Sequence, residues 1–238
     1  TPLFFYSLVI YVSNYFIIHE MIQIRTGVAS AFILLSIVPL QKRKLKNFLF
    51  LIGFATFFHY SSFIFVTLWL LRTGKFNVPI YFCLIPIAYL THIFIDLGVV
   101  LNFIASLLPF DGLAEKLIGY SFAREDLTIN VFGIYPLSRV IIFIFFLYFI
   151  KDIQRYNKYL CILLKMYAFG IFSYIALAIF PIIAVRIGYT LMMTEIILIP
   201  YLIYIIKGFY IPRLIIIFYA FMVFIFNVFF TTYFVWSN

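Results

Sequence analysis

The sequence reads as all-α: a polytopic helical integral membrane protein with about eight or nine membrane segments, one of them broken or re-entrant. Three observations carry this reading. The 238 residues are 66% hydrophobic and only 11% charged, with a mean hydropathy of +1.16, whereas a soluble domain is about half apolar and about a quarter charged. A water-soluble core of this size cannot enclose so many apolar side chains, which excludes a soluble enzyme, a disordered tail and a fibrous protein. The apolar runs are also continuous, unlike the alternating segments of about ten residues in outer-membrane strands.

Spans are expected at 3–18, 26–40, 48–71, 131–150, 159–181, 190–206 and 211–235. The first follows Thr1 and Pro2 directly, without the basic stretch and small-residue cleavage site of a signal peptide. The chain is expected to lack the N-terminal part of a longer protein. Span 26–40 opens on Gly27, Ala29, Ser30 and Ala31, small residues that let helices approach closely. Span 48–71 carries His59, Ser61 and Ser62. The apolar stretch 77–109 contains Pro79, Pro86, His92, Asp96, Gly98 and Asn102. It is either one long tilted helix or a pair of segments that enters and returns. Irregular backbone at membrane depth requires shelter by protein or a cavity.

Lys and Arg accumulate in cytoplasmic loops, and this bias arbitrates between the two. If 77–109 returns, nine cations in the turns 42–46, 151–158 and 207–213 lie inside, against six outside: Arg25, Arg72, Lys75, Lys116, Arg124 and Arg186. One crossing gives seven inside and eight outside. The returning pair is favoured. It puts the turns 19–25, 72–76 and 181–189 on the outer face with the 110–130 loop, the longest polar insert. The net charge of +9 is then a topological signal and not a nucleic-acid interface. No repeat or low-complexity linker divides the chain, so residues 1–238 read as one membrane domain. Cys83 and Cys161 lie in apolar runs and form no CxxC pair.

A charge in hydrocarbon costs about 2.5–3.5 kcal/mol even on a lenient scale, so each one near a span asks for a partner or a role. Arg25, with Gln23 and Glu20 just before it, heads span 26–40. Its fork of donors suits phosphate oxygens, and snorkelling or pairing with Glu20 is the plain alternative. His59 is a candidate base or an interhelical hydrogen-bonding group. Arg186 precedes a span carrying Glu195, with Gly188 and Tyr189 expected to loosen a turn. His92 and Asp96, four apart, would face each other on a helix. Arg139 and Lys165 lie within spans. No Walker loop, GxSxG, HExxH or dinucleotide fingerprint occurs, and no metal-ligand set, so no cofactor is expected.

Three strings carry a resemblance: IRTGVASAFILLS from Ile24 to Ser36, FATFFHYSSFIF from Phe54 to Phe65, and RIGYTLMMTEIILIP from Arg186 to Pro200. In order and spacing they resemble the motifs of the EpsG-type Wzy family, polymerases of O-antigen, capsule and exopolysaccharide. Thr26 stands where that family commonly has Gln. The resemblance implies an enzyme of the bacterial inner membrane with its active site facing the periplasm. It would transfer a glycan from undecaprenyl diphosphate to the non-reducing end of a second lipid-linked repeat unit, without a nucleotide. Membrane lipid, the lipid-linked donor and acceptor, and a chain-length regulator are the implied partners. The implied catalytic residues are Arg25 and Arg186 on the leaving diphosphate and His59 or Glu195 as base. Gln23, Ser62, Tyr120, Arg124, Asp126, Arg139 and Tyr189 would bind substrate, Asp126 being a further candidate base. A lipid-linked oligosaccharide flippase or other transporter, and an O-antigen ligase or membrane acyltransferase, remain as rival readings.

Overall fold

The structure is a computed structural model and describes residues 2–74, 76–94 and 129–229. Every regular element among the described residues is helical. In chain order they are α1 (Pro2–Tyr11), a π-helix (Val12–Ile22), α2 (Ile24–Gln41), α3 (Leu45–Phe58), a 3₁₀ helix (Tyr60–Leu70), α4 (Val78–Phe94), α5 (Ile134–Tyr148), α6 (Ile150–Gln154), α7 (Leu160–Ala176), α8 (Pro181–Met192), α9 (Glu195–Leu198), a 3₁₀ turn (Ile199–Tyr201), α10 (Leu202–Ile205) and α11 (Ile211–Phe229). Three stretches are long and apolar enough to cross a membrane: Ile24–Gln41, Pro181–Ile205 and Ile211–Phe229. Shorter apolar helices accompany them. The chain is thus an all-helical, polytopic membrane protein.

The helices fall into two units. The first comprises Thr1–Gly74, Phe149–Leu163 and Met193–Asn238. Its entry helix changes winding at Val12. Ser13 Oγ donates to the Ile10 carbonyl at 3.0 Å and Asn14 Nδ2 to the same carbonyl at 3.4 Å. Side-chain donors that compete for a helix carbonyl loosen the regular ladder, and a π-helix of 11 residues follows. Such winding is otherwise mostly a single turn. The segment is tied to α11, because Asn227 Nδ2 donates to the Ser13 carbonyl at 2.9 Å. On α11 the buried residues Pro212, Ile216, Ala220 and Asn227 form one stripe. Its other faces present Leu214, Phe218 and Phe221, as lipid-facing surface does.

α2 ends in a left-handed residue, Arg43 (φ 52°), and α3 packs back against it. Phe32 of α2 stacks on Phe54 at 5.5 Å and on Phe58 at 5.9 Å. The span expected at 48–71 does not then cross. α3 stops at His59, whose backbone is extended (φ −148°, ψ 107°), and the 3₁₀ helix doubles back. Trp69, near its end, returns to within 5.4 Å of the ring of Phe48, near the start of α3. The Arg43 guanidinium donates to the carbonyl of Trp69 at 2.7 Å and to that of Leu71. It also lies 5.2 Å from the centroid of the Trp69 ring. Gln41 Nε2 reaches the carbonyls of Thr73 at 3.5 Å and Lys158 at 3.4 Å.

Residues 45–70 are therefore a hairpin whose two ends lie together and whose tip is His59. The arm lengths agree with this. Fourteen α-helical residues rise about 21 Å and eleven 3₁₀ residues about 22 Å, both short of a hydrocarbon core of about 30 Å. The turn after Leu70 shares its end of the unit with the basic 41–44 turn, not with residues 19–25 as expected. Tyr156 stacks on Tyr204 at 4.6 Å, joining the segments before α7 and before α11 within the same unit.

The second unit comprises Lys75–Tyr148 and Leu164–Met192. α4 runs unbroken through Pro86, and the remainder of the 77–109 stretch lies outside the described residues. Tyr89 of α4 donates its hydroxyl to the Val131 carbonyl at 3.2 Å and stacks on Phe132 at 5.2 Å. Asn130 then starts α5: its Oδ1 accepts from Phe132 N at 3.0 Å and its carbonyl from Gly133 N at 3.0 Å. The turn expected at 181–189 is helical. Pro181 opens α8, where its missing N–H is no loss. Gly188 lies on α7: a Cβ at that position would stand 2.8 Å from Tyr174 Cβ, so the two helices meet there without room for a side chain.

Candidate functional site

In the second unit the sequence-predicted Arg139 and Tyr189 are brought onto one aromatic cluster, with Arg186 nearby in sequence on the helix that carries Tyr189. Arg139, five residues into α5, is 2% exposed. Its guanidinium lies 4.6 Å from the ring centroid of Tyr135, one helical turn before it. Tyr135 meets Tyr174 of α7 at 5.3 Å and Tyr189 of α8 at 5.2 Å. Tyr174 and Tyr189 stack at 5.9 Å and 13°. Arg186 is half-buried, three residues before Tyr189 on α8, and its Nε is buried without a hydrogen-bond partner among the described residues. Thr190 Oγ1 donates to the Arg186 carbonyl at 2.8 Å. A cation over a tyrosine face gains about 0.5–2 kcal/mol, which offsets part of the cost of desolvating Arg139. Tyr135 and Tyr174 were not singled out from the sequence. The four-residue spacing of Tyr135 and Arg139 was the available signal for the first.

The first unit holds the other predicted residues that the structure describes. Arg25 is exposed on the first turn of α2. The carbonyl of Gln23, which is half-buried, accepts from Thr26 N at 2.9 Å and Gly27 N at 3.0 Å, so backbone rather than a side-chain cap starts the helix. A Cβ on Gly27 would stand 2.9 Å from both the Cβ and the carbonyl oxygen of His19. Glycine at this position is what lets α2 lie against the π-helix.

His59 is half-buried at the hairpin tip, and its carbonyl accepts from the amide of the buried Ser62 at 2.9 Å. Glu195 is 0% exposed and accepts a hydrogen bond from Tyr15 at 2.9 Å. Tyr15 in turn lies 5.6 Å from the His19 ring. No local pattern pointed to Tyr15, which is 180 residues from its partner. Tyr120, Arg124 and Asp126 lie outside the described residues. Among the described residues no three His, Cys, Asp or Glu side chains gather into a possible metal set.

Guanidinium groups beside tyrosine faces can hold phosphate oxygens and sugar rings, and a membrane-level histidine can exchange a proton. The fold and these groups define a polytopic helical membrane protein with isolated arginines near the heads of its spans. The chain belongs to the EpsG family, which it matches over residues 1–237. It is 30% identical over 203 residues to the amylovoran biosynthesis protein AmsC of Erwinia amylovora. The matched region covers 82% of this chain and 52% of that protein, so the chain spans about half the length of this curated relative. No solved structure matches it.

Proposed function

We propose that the chain is the membrane core of a polysaccharide polymerase that elongates a glycan on polyprenyl diphosphate. Family membership and the amylovoran biosynthesis in the name of AmsC support a part in polysaccharide synthesis. The observation that carries the finer reading is the gathering of Arg139, Tyr135, Tyr174 and Tyr189, the last on the same helix as Arg186 and three residues after it. In this reading the non-reducing-end hydroxyl of one lipid-linked repeat unit attacks the anomeric carbon of the glycan on a second carrier. The new glycosidic C–O bond forms as the bond to the diphosphate breaks, and the diphosphate leaves with the electron pair. Arg25 and Arg186 stabilise its charge, as oriented donors do for any developing oxyanion. The tyrosines and Arg139 hold the sugars.

The hydroxyl proton passes to His59. The extended backbone at the hairpin tip favours this assignment, because unwound chain at membrane depth persists where it lines a cavity. Glu195, wholly enclosed and bonded by Tyr15, acts as a positioning residue. The hairpin also sharpens sidedness. Lys42, Arg43, Lys44 and Lys46 in the first basic turn are joined by Arg72, by Lys151, Arg155 and Lys158, and by Lys207 and Arg213. Among the described residues these ten loop cations gather at one end of the first unit, and Arg25 lies one span away from them. The basic side is read as cytoplasmic, since Lys and Arg accumulate there, and Arg25 then heads its span at the periplasmic face.

The test is complementation of a host lacking its own polymerase with the full-length natural protein. The polysaccharide ladder should appear with the wild type. With Arg186→Ala its rate of formation should fall about 10²–10³-fold, the usual loss for one oxyanion donor, with the protein still in the membrane. Unchanged ladders for both Arg25→Ala and Arg186→Ala would refute the diphosphate assignment.

A further inference from the structure

The basic end of the first unit carries a cavity of about 470 Å³ that the reaction scheme does not use. It is lined by Lys46, Asn47, Phe50 and Leu51 of α3. The four form two i, i+4 pairs on one helix face, with Lys46 and Asn47 in the first turn and Phe50 and Leu51 one turn further on. The cavity is therefore polar at the basic end and apolar towards the interior of the hairpin. Phe50 is 65% exposed, and its ring meets that of Phe54, one turn deeper on this face, at 4.8 Å. From Lys46 to Phe54 the face covers about 12 Å of helix.

The polar half lies in the most basic part of the chain, where Lys42, Arg43, Lys44 and Lys46 follow one another closely. Arg43 is engaged by the carbonyls of Trp69 and Leu71. The ammonium groups of Lys42, Lys44 and Lys46 make no ion pair or hydrogen bond among the described residues. In the turns gathered at this end Asp152 is the only carboxylate among the described residues, against ten cations.

We infer that this cavity holds an anionic phospholipid of the leaflet on the basic side, with its phosphate at Lys46 and Asn47 and the start of an acyl chain against Phe50 and Leu51. An ammonium without a counter-ion calls for an anion, and at the head of a membrane segment the bilayer supplies one as a lipid headgroup. A free phosphate is the poorer ligand, because a hydrated ion gains nothing from the apolar half of the cavity. A headgroup that carries its own ammonium is disfavoured by like-charge repulsion from the surrounding cations. An acidic peptide would have to bring backbone donors and acceptors to the level of Phe50 and Phe54, where no water satisfies them.

The test is lipid retention by the purified full-length protein, read by native mass spectrometry. The protein is taken from micelles holding equal amounts of phosphatidylglycerol and phosphatidylethanolamine, with and without inorganic phosphate. The wild type should keep phosphatidylglycerol in preference. Lys46→Gln should weaken its retention about fivefold, the effect of one cation beside an anionic headgroup. Asn47→Trp, at an exposed position and without a change of charge, fills the cavity and should weaken retention by at least as much. Arg213→Gln removes a cation from the same end but outside the cavity, and should leave retention at the wild-type level.

Equal retention of the two lipids by the wild type would overturn the proposal and leave the cations their topological role alone. Undiminished phosphatidylglycerol in both Lys46→Gln and Asn47→Trp, each eluting as folded protein, would overturn the cavity as its site. An equal loss in Arg213→Gln would do the same, by making the attraction a property of the whole basic end. Displacement of the lipid by inorganic phosphate would make the occupant a free anion. None of these results bears on the polymerase reading, which the polysaccharide ladder tests by itself.

Discussion

Tyr15 and Glu195 show what a single buried polar contact does in this protein. A carboxyl group with no exposure, inside apolar helices, accepts from the hydroxyl that meets it at 2.9 Å. Tyr15→Phe removes that hydrogen bond, at a cost of about 1 kcal/mol. The expected result is a lower melting temperature of the purified protein in detergent, with no change in the sidedness of its loops. Gly188 is the corresponding steric case. A Cβ there would stand 2.8 Å from Tyr174 Cβ and 3.1 Å from its Cδ2. Gly188→Ala should cost about 1–3 kcal/mol by overpacking and displace Tyr174 from Tyr189. We expect it to weaken the polysaccharide ladder even where membrane levels are normal; a full ladder would show that the tyrosine stack is packing alone. These contacts differ in how far sequence could reach them. Arg139 and Tyr135 sit one helical turn apart and could be paired on paper, whereas Tyr15 meets Glu195 only through the fold.

The hairpin 45–70 is the element that reading the sequence misplaced. Between Lys46 and Arg72 no Asp, Glu, Lys or Arg interrupts the apolar run, and its turn is made at His59 without Gly or Pro. An uninterrupted run of that length has the same composition whether it crosses or returns. What distinguishes the two is the bonding of Arg43 to the far end, which no periodicity encodes. The consequence is measurable. In a protein with Cys83 and Cys161 replaced by serine, Lys44→Cys and Thr73→Cys should be labelled by an impermeant reagent from the same side of the membrane. Labelling from opposite sides would restore the crossing. Arg43→Ala should free the hairpin base, since each lost hydrogen bond is worth about 1 kcal/mol. Faster proteolysis between residues 71 and 74 in the variant is the expected readout.

At the scale of the molecule, composition alone identified a helical membrane protein, because so apolar a surface has no other solvent. The spans at 24–41 and 211–229 followed directly from their length and hydropathy. Sidedness did not, since it hangs on which segments return, and the return at 45–70 puts Arg72 at the same end as the basic 41–44 turn. The hairpin, free of charged residues between Lys46 and Arg72, also bears on how the protein enters its membrane. A crossing segment must carry everything beyond it through the hydrocarbon, and each charge carried costs about 2.5–3.5 kcal/mol at the centre. A hairpin with His59, Ser61 and Ser62 at its tip carries none. It can enter from the side on which its two ends lie with no charge carried across. Its assembly then becomes a docking step of an already anchored chain, in which Arg43 acts as the latch.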